Sequence, residues 1–152
     1  MVAAVHGRAL GGGAGIAAAC DLVVASESAA FGYPEVNIGF VPAMVAALVR
    51  RNVTEKRMFE LLTSGTPVAA NQALAIGLIN RVFPDAEFAA GVAAYVQNLA
   101  QKSATALSLT KRLLYHTDAM TLEQALEAGV WMNALSRTTS DAQSGFAGFV
   151  KK

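Results

Sequence analysis

Short unbroken apolar runs at 2–5, 22–25 and 30–31, bounded by Gly7, Asp21 and Pro34, predict buried strands, because a strand covered on both faces needs no alternation. Between the first two runs, Gly11, Gly12, Gly13 and Gly15 lead into an Ala-rich stretch that predicts a compact helix over 16–20. The three consecutive glycines let the backbone approach another group closely. Pro34 and Gly39 bracket a loop, and helical patterns follow over 43–51 and 55–62. Thr54 stands where an N-cap is expected, Glu55 is an acid in the first turn, and Gly65 marks the stop. A short helix over 68–76 closed by Gly77 and a strand over 78–83 ending at Pro84 complete this part. Beyond it the pattern is helical over 88–102, 104–115 and 122–137. The chain thus begins with mixed strands and helices and ends as a helical array, with no internal repeat or low-complexity linker. The strand at 2–5 has no lead-in, so its sheet neighbours are expected from later in the chain or from a partner.

Composition narrows the class. The 152 residues are 54% hydrophobic and only 15% charged, which excludes intrinsic disorder and supplies one domain's worth of core. So little charge beside so much Ala suggests an apolar face covered by oligomerisation, with an Ala-rich core as the alternative. A net charge of +1 without a basic run longer than two residues argues against a nucleic-acid partner. Cys20 has no second cysteine to pair with, and His6 and His116 are too few for a closed zinc site, so neither a disulfide nor a metal is expected. No charged start precedes a long apolar run and no run approaches the ~20 residues of a membrane span, so the expectation is a cytoplasmic protein with no membrane contact.

Two groups could carry chemistry. The glycine cluster satisfies G-x-G-x-x-A at 13–18 after a strand, a dinucleotide fingerprint, although the following helix is short for a crossover. Alternatively, glycine N–H groups at a helix start form an oxyanion hole, or the glycines simply allow tight packing. The second group is Glu35, a carboxylate among Phe31, Tyr33, Val36, Ile38 and Phe40, poorly solvated and suited to general-base work if its loop folds inward. Asp21 reads as a turn residue, Glu27 as solvated surface, His6 and His116 as structural, and Cys20 as a small buried hydrophobe. Neither a G-x-S-x-G elbow nor a P-loop occurs.

The stretches 3–15, 20–25, 30–39 and 41–42, followed in order by 62–65, 69–79, 82–84, 106–111 and 146–151, resemble the crotonase, or enoyl-CoA hydratase/isomerase, superfamily over essentially the whole chain. The resemblance implies an α/β crotonase-like fold, a partial ββα superhelix over 1–84. It also implies a helical region over 85–152 that serves oligomerisation and active-site cover. It implies acyl-CoA thioester chemistry through an enolate, with the Gly12 N–H as one oxyanion donor. The family's other donor lies on an earlier segment that this sequence does not contain, so the chain reads as the back portion of such a protein. Of the two carboxylates in the family's hydratases, the first position is Gly15 here and the second is Glu35. A single base suits proton shuttling between two carbons, as in the family's isomerases, and does not exclude hydration. Pro42-Ala43 is closer to the methylglutaconyl-CoA hydratase-like branch. Leu10, Gly11, Pro34 and Ala43 are expected acyl or CoA contacts. No separate cofactor is implied, since coenzyme A belongs to the substrate, and the expected assembly is a homotrimer or hexamer. Trp131 and Met132 serve that interface or an ordinary core. A non-catalytic oligomeric remnant or binding scaffold is the rival reading, and a dinucleotide-binding module the weaker one.

Overall fold

The computed structural model describes residues 1–150 and divides the chain into two compact units, Met1–Val96 and the helices from Gln97 onward. In the first unit the three apolar runs are strands: β1 (Val2–Val5), β3 (Leu22–Ser26) and β4 (Ala30–Gly32). Between β1 and β3 lies β2 (Arg8–Leu10), which the sequence pattern did not predict. Three residues opening on an exposed arginine are too few to show a period.

The strands form two sheets. One is all parallel in the order β1-β3-β6, with β6 at Arg81–Phe83. The other has the order β2-β4-β5, in which β2 and β4 are parallel and β5 (Val68–Ala69) is antiparallel to β4. With α1 at Gly12–Ala19 and α2 at Ala43–Val49, the chain climbs as two successive ββα turns, each adding one strand to each sheet. Val2 therefore stands beside Leu22, and Arg8 beside Ala30.

Helix α1 starts at Gly12, four residues before the predicted start, because the glycines themselves form its first turn and the Gly15 N–H donates to the Gly11 carbonyl at 3.0 Å. Its Ala14, Ala17 and Ala18 are buried against a core that includes Phe31, Tyr33, Val45 and Val49. Small residues let α1 and α2 approach closely: a Cβ on Gly15 would lie 2.4 Å from Val45 Cγ1. Cys20, expected to be buried, is the C-cap of α1 and only half-buried, with its Sγ on the Ile16 carbonyl.

Three predicted boundaries shift further along. Helix α3 (Glu55–Ser64) runs two residues past its predicted end before Gly65 stops it at φ 65°. Thr54 is its N-cap by position, without a side-chain bond. The helix predicted over 68–76 is β5 followed by α4 (Ala70–Ala75), because Val68 and Ala69 extend the second sheet beside Phe31 and Ala30. The strand predicted over 78–83 is reduced to β6. Leu78 and Ile79 are buried, but their N–H groups turn back to the Ala73 carbonyl, and Asn80 brackets Val23 with a backbone and a side-chain bond of 2.7 Å each.

Helix α5 (Phe88–Ala100) contains the boundary between the units. The second unit continues with α6 (Ala104–Thr117), α7 (Leu122–Arg137) and α8 (Ser140–Val150), the last a helix the sequence reading did not separate. Ser103 caps α6, and Thr121 with Gln124 forms a capping box on α7. No residue of α6 or α7 is buried. Trp131 is 70% exposed, so it is no core residue of this unit. With Met132, His116, Met120 and Leu135 it lines an open hollow of about 510 Å³. Lys151, the end of the motif at 146–151, lies outside the described residues.

Candidate active site

The site is assembled by the second sheet. Because β2 and β4 run parallel with Leu10 beside Gly32, both strands end level, and the Gly11 N–H closes the pair by donating to the Gly32 carbonyl at 2.8 Å. After Gly11 the chain enters α1, and after Tyr33 it enters a short 3-10 turn, Pro34–Ile38. Glu35 sits in the first turn of that element. Gly11 has φ 52° and ψ −120°, a conformation that side chains strongly resist, so glycine is required to bend the chain from strand into helix there.

That bend brings the two sequence candidates together. A Cβ placed on Gly11 would lie 3.1 Å from Glu35 Oε1, so the carboxylate rests directly over the residue before Gly12. Gly12 is the first helical residue, and an N–H at that position has no acceptor within its own helix. A Cβ on Gly12 or Gly13 would meet nothing within 4 Å, so the helix start opens onto free space. The partial positive charge of a helix N-terminus and a carboxylate therefore flank one opening.

The carboxylate's backbone is fixed from three sides. Its carbonyl accepts the Phe40 N–H at 3.0 Å, Gly39 closes the turn in the left-handed conformation, and Asn37 Nδ2 donates to the Gly65 carbonyl at 3.2 Å. Glu35 Oε2 is buried without a hydrogen-bond partner. The hydroxyl of Tyr33, wholly buried, also lacks one. Burial, and secondarily the charge of Glu35, push the Tyr33 phenol far above its ordinary range, so it stays protonated. Sequence reasoning counted Tyr33 only among the apolar neighbours of Glu35. The available signal was a polar tip in the one ring between two otherwise apolar segments.

Gly15 is also explained by packing. A Cβ there would lie 2.4 Å from Val45 Cγ1, so any side chain at position 15 would require Val45 to move. Leu10, Gly11 and Pro34 are half-buried, and Ala43 is exposed at the start of α2. Downstream of Glu35, Ile38, Phe40, Val41 and Met44 expose an apolar surface, Met44 to 87%. Glu27 is exposed, and His6 packs its ring 5.7 Å from that of Phe88. Among the described residues no group of three or more His, Cys, Asp or Glu could hold a metal ion, and no helix is long and apolar enough to cross a membrane.

The dinucleotide reading fails on topology. That fingerprint needs the strand before the glycines and the strand after the helix side by side in one sheet, and here β2 and β3 lie in different sheets.

Comparison with known proteins gives a consistent result. The family model described as Enoyl-CoA hydratase/isomerase matches residues 1–152. A Thermus thermophilus protein with enoyl-CoA hydratase in its name is 43% identical over 151 residues, covering 99% of this chain and 60% of its own length. The 2,3-dehydroadipyl-CoA hydratase of Escherichia coli is 33% identical over 156 residues, covering 100% of this chain and 60% of its own. The solved enoyl-CoA hydratase of Mycobacterium smegmatis superposes with a TM-score of 0.92 at 29% identity, covering 96% of this chain and 57% of that one. The chain thus spans about 60% of the length of the curated relatives it matches. Two sheets built by successive ββα turns, a glycine-led helix start beside a carboxylate, and a family match along the full sequence agree: the chain belongs to the enoyl-CoA hydratase/isomerase family, with the crotonase fold.

Proposed function

We propose that this chain takes part in acyl-CoA thioester chemistry of the enoyl-CoA hydratase/isomerase type, with Glu35 as the proton-transferring group and the Gly12 N–H as a donor to the thioester oxygen. The observation that carries the reading is Glu35 Oε1 resting 3.1 Å from the Cβ position of Gly11, one residue before the open helix start. A thioester oxygen on the Gly12 N–H would develop negative charge as the α-proton leaves, and a fixed donor at a helix N-terminus stabilises that charge without reorganising. The carbon that loses its proton then lies on the carboxylate side of the opening.

Glu35 takes the proton at one carbon and returns it at another, which is isomerisation, or takes a proton from water as its oxygen adds to the β-carbon and passes that proton to the α-carbon, which is hydration. With Gly15 in place of a second carboxylate, the single base Glu35 suits the first and does not exclude the second. The apolar surface of Ile38, Phe40, Val41 and Met44 suits an acyl chain. Coenzyme A enters as part of the substrate. The exposed apolar residues of α6 and α7, among them Leu114, Leu126, Val130 and Trp131, support a homo-oligomer of the trimer or hexamer kind.

Replacing Glu35 by Gln keeps the shape and removes the base. Turnover of an enoyl-CoA ester should fall by roughly 10²–10⁴-fold while stabilisation by the ester persists. Unimpaired turnover in Glu35→Gln would remove the assigned role.

A further inference from the structure

Among the described residues, the two buried side-chain oxygen or nitrogen atoms left without partners, the Tyr33 hydroxyl and Glu35 Oε2, belong to residues two apart in the same short connection. The large majority of buried polar atoms in folded proteins are paired, so each exception calls for an explanation. Their chemistry is complementary. A protonated phenol has one hydrogen to give, and an ionised carboxylate oxygen can only accept. The charge of Glu35 is felt at the phenol, which places the two groups in one electrostatic environment.

The backbone leaves the pair little freedom to find other partners. The Gly11 N–H on the Gly32 carbonyl fixes the chain just before Tyr33, and the Phe40 N–H on the Glu35 carbonyl fixes it just after. Pro34 between them has its φ locked by its ring. Oε1 lies over Gly11, and Oε2 is the oxygen buried from solvent, as is the whole of Tyr33.

We infer that Tyr33 is a positioning residue: its hydroxyl donates to Glu35 Oε2, by a small rotation or across one buried water, and so holds Oε1 over Gly11 beside the open helix start. The inference rests on the proposed role of Glu35 for its functional meaning, but the pairing itself is testable without substrate. Tyr33 contacts no reacting atom. It fixes which carboxylate oxygen faces the opening, and its removal would let the carboxylate swing between rotamers.

The first test is a thermal-unfolding cycle on the ligand-free chain with Tyr33→Phe, Glu35→Met and the double variant. If the two groups are paired, Tyr33→Phe lowers the midpoint by several degrees in the parent and has little effect, or raises the midpoint, once Glu35 is Met. A midpoint that rises in the parent, as expected for deleting an orphan hydroxyl, overturns the inference, and so does an equal change in both backgrounds.

A second readout is the infrared carboxylate band isolated as the difference between the parent and Glu35→Gln. It should shift in Tyr33→Phe, and an unshifted band contradicts the pairing. In turnover, Tyr33→Phe should lower kcat about tenfold with KM nearly unchanged, the worth of one hydrogen bond. If Glu35→Gln keeps full turnover, the proposed function falls while the melting cycle and the infrared band still decide the pair.

Discussion

The two units solve the burial problem in opposite ways. In Met1–Val96 the buried core combines alanines that bring backbones together with valines, leucines and two rings, Phe31 and Tyr33. In the helices beyond, α6 and α7 are well capped yet bury nothing, and Leu122, Leu126, Val130 and Trp131 stay exposed. Good caps and helix propensity therefore account for the helices as local structures but not for a core, since packing of an apolar face supplies most of a helix's stability. The first unit is specified from within, and the second presents an exposed apolar surface.

That contrast can be broken most directly by truncating a ring in each unit. Phe31→Ala should cost about 3–5 kcal/mol, since Phe31 is fully buried and the close-packed alanines around it cannot collapse into the gap. Trp131→Ala should stay within about 0.5 kcal/mol in the isolated chain, because the indole is largely exposed there. Chemical denaturation of both variants at low protein concentration checks this. A comparable loss for the tryptophan would show that the second unit has a core of its own.

A smaller effect sharpens the claim that close backbone approach organises the first unit. Gly15→Ala should cost about 1–3 kcal/mol by forcing Val45 away, and Val45→Ala in the same chain should recover most of that loss. The same pair explains why a carboxylate cannot simply be grafted at position 15: Glu there would need Val45 trimmed first. If Gly15→Ala leaves the denaturation midpoint unchanged, tight packing is not what fixes that glycine.

The smallest expected effect lies at the surface. Asp85 accepts hydrogen bonds from the backbone N–H and then the hydroxyl of Ser28, which hold its carboxyl below the usual carboxylate range. A depressed folded-state pKa adds stability that is complete above the ordinary Asp value and is lost as the pH falls through the lowered one. Ser28→Ala should therefore lower stability slightly at neutral pH, and its curve should converge on that of the parent as the pH falls through the Asp85 titration. A stability–pH curve identical to that of the parent would remove this bond from the account.

The sequence was most legible where several residues agreed. Runs of Val and Ala marked β1 and β3, and the helices α6 and α7 were bounded within two residues by their helical pattern. It was least legible where tertiary partners decided the outcome. Arg8–Leu10 and Val68–Ala69 are strands only because β4 lies between them, and no local pattern encodes that. The glycine turn and Glu35 could each be named from composition and resemblance, but their meeting at Gly11 follows from the register of Leu10 on Gly32, which only the folded sheet supplies. Tyr33 was hidden for a related reason: a buried phenol and a buried methyl group look alike in a hydrophobic pattern.

The central claim, that the opening between Gly12 and Glu35 receives an acyl-CoA thioester, is tested most directly by thermal unfolding of the chain with excess crotonyl-CoA, using NAD as the control. Ligand at 100 times its dissociation constant adds about 2.7 kcal/mol to the native state, which should raise the midpoint by several degrees. The account predicts that rise with the thioester and none with NAD. A cooperative melt that the thioester does not move, or that NAD moves instead, would contradict it.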